Sequence, residues 1–311
     1  MGTEAVAVLI GSLLAATIRS ASPIVLAAVG EIYAERSGVL NLGLDGIMMA
    51  GAFACYIGAH ISGSLGVGIL LGMLAGALLS LLHAVFAINL GVDQIISSLM
   101  VGYLGAAVAD FLGRPLMGIQ IPSLSGNETS VLTQIPVVGR AIFGQNVLVY
   151  VTLVIVVVSW FILFRSRPGL VITAVGDNPR AADSAGINVG RVRYVCVLVG
   201  GVLAGLAGAY IACVYSSVFS ARLIAGRGWI AIALVVFSAY HPVRAALGGL
   251  FFGGIEALQF RMELLQVDVP YHFLMMLPYI ATILVLVIAG REKLLKLLGA
   301  PLTLGRPYKR E

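Results

Sequence analysis

Apolar runs long enough to cross a bilayer recur along nearly the whole chain, and they leave little choice of fold. Residues 147–164 and 194–215 carry no charged side chain, and a helix needs about 20 apolar residues to cross a hydrocarbon core of roughly 30 Å. In lipid every backbone polar group must be satisfied internally, so such runs fold as helices packed side by side. Composition agrees: 60% of the residues are hydrophobic and 11% are charged, against about 25% charged in soluble domains. No polar stretch is long enough to fold alone in water. Residues 1–311 are therefore expected to form one all-α, polytopic transmembrane helix bundle.

Spans are expected at 5–30, 46–61, 66–88, 94–113, 147–164, 194–215, 229–240, 245–260 and 271–290. Arg19 and Pro23 interrupt the first, which is one kinked span or two short ones, so the total is nine or ten. The net charge of +5 reflects membrane topology and not nucleic-acid binding. Arg165, Arg167, Arg180, Arg191 and Arg193 form an island at 165–193, and Arg291, Lys293, Lys296, Arg306, Lys309 and Arg310 fill the tail at 291–311. Cytoplasmic segments collect Lys and Arg, which puts both on the cytoplasmic side with the C-terminus. Residues 31–45 then fall on that side as well, and 114–145 becomes an external loop.

The chain holds 38 glycines, several spaced by four: Gly68, Gly72 and Gly76; Gly201 and Gly205; Gly249 and Gly253. Small residues at this spacing let helix backbones approach in lipid, and packing within the bundle explains them better than a dimer face does. A weak likeness between the stretches starting at Gly46 and Gly228 suggests a possible inverted repeat, the device by which many transporters build a central pathway.

Cys55, Cys196 and Cys213 fall inside expected spans with no CxxC pair, which speaks against a zinc site or a disulfide framework. Lys293, Lys296 and Lys309 are the only lysines and none follows a glycine, so the Gly-Lys-Ser/Thr of a phosphate-binding loop is absent. Asn127 opens a glycosylation sequon, a short motif read as chance. Polar residues in or beside spans are Asn41, Asp45, His60, His83, Asn89, Asp93, Asp110, Glu256, Gln259 and His272. Most lie near expected ends, where the interface solvates them, and Glu256 alone lies well inside a segment. No cluster suggests catalysis.

The run Glu35, Arg36, Ser37, Gly38, Val39, Leu40, Asn41, Leu42, Gly43, Leu44, Asp45, Gly46 resembles the signature of permease subunits of bacterial ABC importers in the ribose, branched-chain amino acid and nucleoside group. Together with residues 174–189 it is most similar to the nucleoside-type permeases. That group more often has glutamate where Asp45 stands. The resemblance implies a transport subunit of the bacterial inner membrane, not an enzyme and without a cofactor of its own. ATP and Mg would sit on a cytoplasmic ABC ATPase partner. An extracytoplasmic binding protein would deliver substrate, and a second permease subunit, favoured as a different chain, would complete the pathway among membrane lipid.

On that resemblance the island carries the ATPase-coupling element: Asp177, Asn178, Pro179, Arg180, Ala181, Ala182, Asp183, Ala185 and Gly186. Pro179 suits the first helical turn, where its missing N–H costs nothing, and Gly186 suits the stop. An ordinary solvated loop is the alternative. Residues 35–46 read either as a half-helix or re-entrant segment at the cavity, or as a tight connecting turn. A nucleoside is neutral and polar with a stacking face, and Asn89, Gln94, Tyr103, Glu256 and Gln259 are possible pathway residues; the same set suits a pentose such as ribose. An ion-coupled carrier would instead rest on Glu256 as its titratable carboxylate.

Overall fold

The computed structural model describes residues 3–126, 137, 139–264, 271–289 and 299–308. The sequon at Asn127 and the tail positions Arg291, Lys293, Lys296, Lys309 and Arg310 lie outside the described residues. The helices are α1 (Thr3–Arg36), α2 (Leu44–Ser62), α3 (Leu65–Ala84, prolonged by the π-turn Val85–Asn89), α4 (Gln94–Gly113), α5 (Val147–Arg165), α6 (Arg167–Asp177), α7 (Pro179–Ser184), α8 (Val189–Tyr210, prolonged by Ile211–Tyr215), α9 (Arg227–Phe237), α10 (Pro242–Leu264) and α11 (Tyr271–Ala289). Six of them, α1 to α5 and α8, are long and apolar enough to cross a membrane. The 23-residue α10 and 19-residue α11 match them in length.

The first apolar region is one continuous helix despite Pro23. Proline removes the N–H that would bond the carbonyl four residues earlier, which here belongs to Arg19. The Tyr210 hydroxyl, from α8, donates to Arg19 O at 3.1 Å and supplies the missing partner. The expected span at 229–240 is corrected: α9 has eleven residues, about 16 Å at 1.5 Å per residue, half a crossing. The other half of that passage is made by non-helical residues 216–226, partly packed against the rest of the chain and partly exposed on the wall of a cavity. Ile121 N, for example, donates to Ser217 O at 3.0 Å.

Contacts sort the bundle into two ends. Arg36, at the end of α1, donates to Thr173 Oγ1 on α6. The Tyr194 hydroxyl near the start of α8 donates to Asn89 Oδ1 at the end of α3, and Thr303 N in the C-terminal segment donates to Gly176 O on α6. The arginine island and the described tail therefore share one end, here called the coupling end, as the charge pattern requires.

The glycine ladders pack helices of this chain against each other. Gly68 and Gly72 of α3 lie on α2, Gly76 on α8, and Gly249 and Gly253 of α10 on α1. Cys55 and Cys213, both free, lie 3.3 Å apart where α2 meets α8. At Gly208 an added Cβ would run into Met48 O and come within 2.8 Å of Ala52 N. Both are backbone atoms, so neither can swing away. Gly208→Ala should force α2 and α8 apart and destabilise the bundle by about 1–3 kcal/mol, read as a lowered unfolding midpoint in detergent.

Candidate coupling and transport sites

Between α1 and α2 the chain runs through residues 37–43 without helical bonding, and it does so inside the protein, with Ser37, Gly38, Val39, Asn41 and Gly43 all buried. Irregular backbone is tolerated at membrane depth only when protein satisfies it. Side chains from four helices do so. Glu31 Oε1 on α1 accepts from Asn41 N at 2.9 Å, and Gln94 Oε1 on α4 accepts from Leu40 N at 2.8 Å. His83 Nε2 on α3 lies 3.1 Å from Leu40 O, and its Nδ1 the same distance from Ser97 Oγ. Arg193 Nε on α8 donates to Ser37 O at 3.2 Å. Gly38 sits at φ +90°, and a Cβ there would come within 2.9 Å of the Arg193 guanidinium. Glu35 to Gly46 is thus a helix end, a buried unwound stretch of chain and a helix start.

The coupling end is braced from several directions. Arg36 donates to Tyr240 O as well as to Thr173, and its guanidinium carbon lies 4.5 Å from the centroid of the Phe164 ring. That ties α1 to α5, α6 and the α9–α10 connection. α6 buries Gly169, Ile172, Val175 and Gly176 along one face. α7 then starts and stops as expected. Asn178 Oδ1 accepts from Ala181 N at 3.0 Å, with Pro179 in the first turn. Gly186, at φ +84°, donates to Asp183 O while Ile187 N donates to Ala182 O. This bond pair closes a helix with glycine in the left-handed position.

Pro179 and Ala182 face inward, Ala182 packing with Val175 and Val189. Asp177, Asn178, Arg180, Ala181, Ala185 and Gly186 are exposed. The tail straps this element down. Thr303 Oγ1 donates to Gly176 O at 2.6 Å, Gly305 N to Gly38 O at 3.3 Å and the Tyr308 hydroxyl to Asp183 Oδ2 at 3.2 Å.

The second site lies deeper. α2 and α9 begin at the same place and run apart: Gly228 N, in the first turn of α9, donates to Asp45 Oδ1, in the first turn of α2, at 3.0 Å. Two positive helix ends meet there, and the Asp45 carboxylate between them offsets the repulsion. Arg227 is ion-paired with Glu256 of α10, both side chains 10% exposed, and Arg227 also donates to Leu223 O and Ile224 O. Around them is a cavity of about 810 Å³. Its walls come from α1, α2, the end of α8, residues 216–226, α9, α10 and α11.

Of the five possible pathway residues, the structure brings Glu256 and Gln259 to this cavity, three positions apart on one face of α10. The other three lie away from it. Asn89 is exposed at the coupling end beside Tyr194, Gln94 is buried against the 37–43 segment, and Tyr103 is 64% exposed on the outer face of α4. Asp93 caps α4, Asp110 pairs with Arg114, and His60 is exposed at the end of α2; the side chain of His272 lies outside the described ones. Sequence reasoning missed the burial of Glu31 and Arg193, which are more buried than Glu256, and of Arg227, which is nearly as buried; Glu35, named only in the signature run, is also more buried than Glu256. Arg193 is no solvated island arginine. It is 1% exposed and belongs to α8. The i,i+4 spacing of Glu31 and Glu35 beside a glycine-rich signature was the available signal.

Broken helices that meet around a largely apolar cavity holding Asp45, Arg227 and Glu256, with a short helix braced and displayed at one end, define a multi-pass membrane transport subunit. The chain belongs to the family described as the branched-chain amino acid transport system permease component, which its residues 13–288 match. It is 35% identical to NupQ, a guanosine ABC transporter permease protein of Bacillus subtilis, over 94% of this chain and 96% of that one. It is 36% identical to NupC, a nucleoside ABC transporter permease protein of Lactococcus lactis, over 85% and 88%. TsgC13 of Haloferax volcanii, provisionally named a glucose ABC transporter permease protein, is 35% identical over 82% and 78%. No solved structure matches the chain.

Proposed function

We propose that the chain is one of two membrane subunits of an ATP-driven importer for nucleosides, held in the bacterial inner membrane with its coupling end and C-terminus in the cytoplasm. Nucleosides enter from the names of NupQ and NupC, which match along most of their lengths. A cytoplasmic ABC ATPase carries ATP and Mg and docks on α7. An external binding protein delivers the nucleoside, and the second permease is a different chain.

The observation that carries this reading is α7 itself. A six-residue helix gains little stability alone, yet here it is capped at both ends, seated on Val175 and Val189, and strapped by the tail. That construction leaves one face of it free for a partner and makes it stiff enough to transmit a push to the 37–43 segment, which the same strap touches through Gly38. A carrier driven by an ion gradient would need Glu256 free to take up and release a proton, and its pairing with Arg227 argues against that. A glucose-type substrate, suggested by TsgC13, remains the second reading for the cargo.

The test is a tagged pull-down from mild detergent of wild type beside an Arg180→Glu, Ala181→Asp variant. Both positions are exposed, and the variant's unfolding midpoint in detergent, set beside that of wild type, checks that the fold is kept. Wild type is expected to bring down an ATPase subunit and the variant to lose it. Equal recovery with both would remove α7 from the docking site.

A further inference from the structure

We propose that the cavity where α2 and α9 begin is a binding site for the transported molecule, and that its chemistry selects a neutral, planar ring bearing hydrogen-bond acceptors. The ligand class deepens the nucleoside reading and rests on it; the location of the site does not.

Position is the first argument. α9 places Arg227 about 16 Å from the coupling end, near the middle of a ~30 Å core. Two unwound segments, 37–43 and 216–226, converge on that level and continue as helices of opposite direction. Carriers built from broken helices hold their cargo at such a point. A volume of about 810 Å³ falls within the range of small-molecule pockets, roughly 300–1,000 Å³.

Charge is the second. The acidic and basic side chains on its walls are Asp45, Glu256, Arg222 and Arg227, two of each. Both carboxylates are already engaged, Asp45 by the Gly228 N–H and Glu256 by Arg227. A charged ligand would unbalance these four, and a cation would also have to break one of these contacts, whereas a neutral ligand does neither.

Unsatisfied donors are the third. Arg227 is 9% exposed, and its Nε is buried with no hydrogen-bond partner; the Tyr215 hydroxyl is in the same state. Both residues line the cavity. Buried donors ordinarily find an acceptor, and here a ligand carbonyl or ring nitrogen would supply it. Gln259 adds an amide that both donates and accepts, and Tyr215 and Tyr279 add aromatic surface against which a planar base can stack. A sugar alone would leave that surface unused.

The complete transporter, with its ATPase, second permease and binding protein, is reconstituted in liposomes with Ser220→Cys. Ser220 is an exposed residue of the cavity wall, and the native cysteines are buried, so maleimide labelling above the wild-type background reports the introduced thiol. Guanosine at about ten times its half-saturating concentration should slow labelling about tenfold. Gln259→Leu should cut uptake of tritiated guanosine about tenfold, the worth of one good hydrogen bond, with the ATPase subunit still co-purifying. Labelling indifferent to guanosine, or undiminished uptake by Gln259→Leu, overturns the site. Protection and uptake with glucose in place of guanosine keep the site but overturn both the planar-ring ligand class and the nucleoside reading.

Discussion

Glu256→Ala is expected to lower the stability of the folded chain by about 3–5 kcal/mol, the range for removing one member of a buried ion pair. The loss comes from Arg227, whose charge would remain buried at the start of α9, held by two carbonyls but without its direct ion-pair partner and with Asp45 as the nearest carboxylate on the cavity wall. A soluble surface pair would be worth about 0–1 kcal/mol; burial makes the difference. The double variant Arg227→Met, Glu256→Leu removes both charges and should recover most of that stability, because apolar replacements of a whole buried pair are often neutral or better. Transport should not return with it, since the cavity loses its polar wall. The fraction of protein that stays monodisperse in detergent on heating, set beside guanosine uptake, separates the two effects. A single variant as stable as wild type would contradict the buried pair.

Arg193→Met should separate transport from ATP hydrolysis. Arg193 is a buried cation with no carboxylate in ion-pair range among the described residues. It is held by Ser37 O and Arg306 O, and so joins α8 to the unwound segment and to the tail. Methionine fills much of its volume but donates nothing, leaving buried carbonyls at a cost of about 1–3 kcal/mol each. The tail should then detach from α6 and α7. Faster proteolytic trimming at residues 299–308, and fewer nucleosides imported per ATP hydrolysed, are the expected results. An unchanged transport-to-hydrolysis ratio would show that the strap has no part in coupling.

What the sequence disclosed follows from which physics is local. Helix α7 was legible because its start and stop depend on Asn178, Pro179 and Gly186 themselves, within a few residues of one another. The membrane-length helices were legible because each apolar run is its own signal. α9 was not: its apolar residues 229–237 look like part of a span, and only the packing of 216–226 against distant residues, such as Ile121, shows that half the crossing is unwound. Three of the five possible pathway residues lie away from the cavity for a related reason. Periodicity says which helix a polar residue is on, but Gln94 finds its partner in the 37–43 backbone and Tyr103 points away from the cavity. Glu256 was visible because a carboxylate inside an apolar run is costly wherever it sits; its partner Arg227 was hidden at the mouth of a helix whose start was not foreseen.

The decisive property is whether this chain moves a nucleoside at the expense of ATP. Liposomes carrying the chain with the subunits that co-purify with it, ATP enclosed on the coupling-end side and binding protein outside, should accumulate tritiated guanosine. That accumulation should need hydrolysable ATP and should survive ionophores that abolish ion gradients. Accumulation that ignores ATP and collapses with the gradient would contradict the account and return Glu256 to the role of coupling carboxylate.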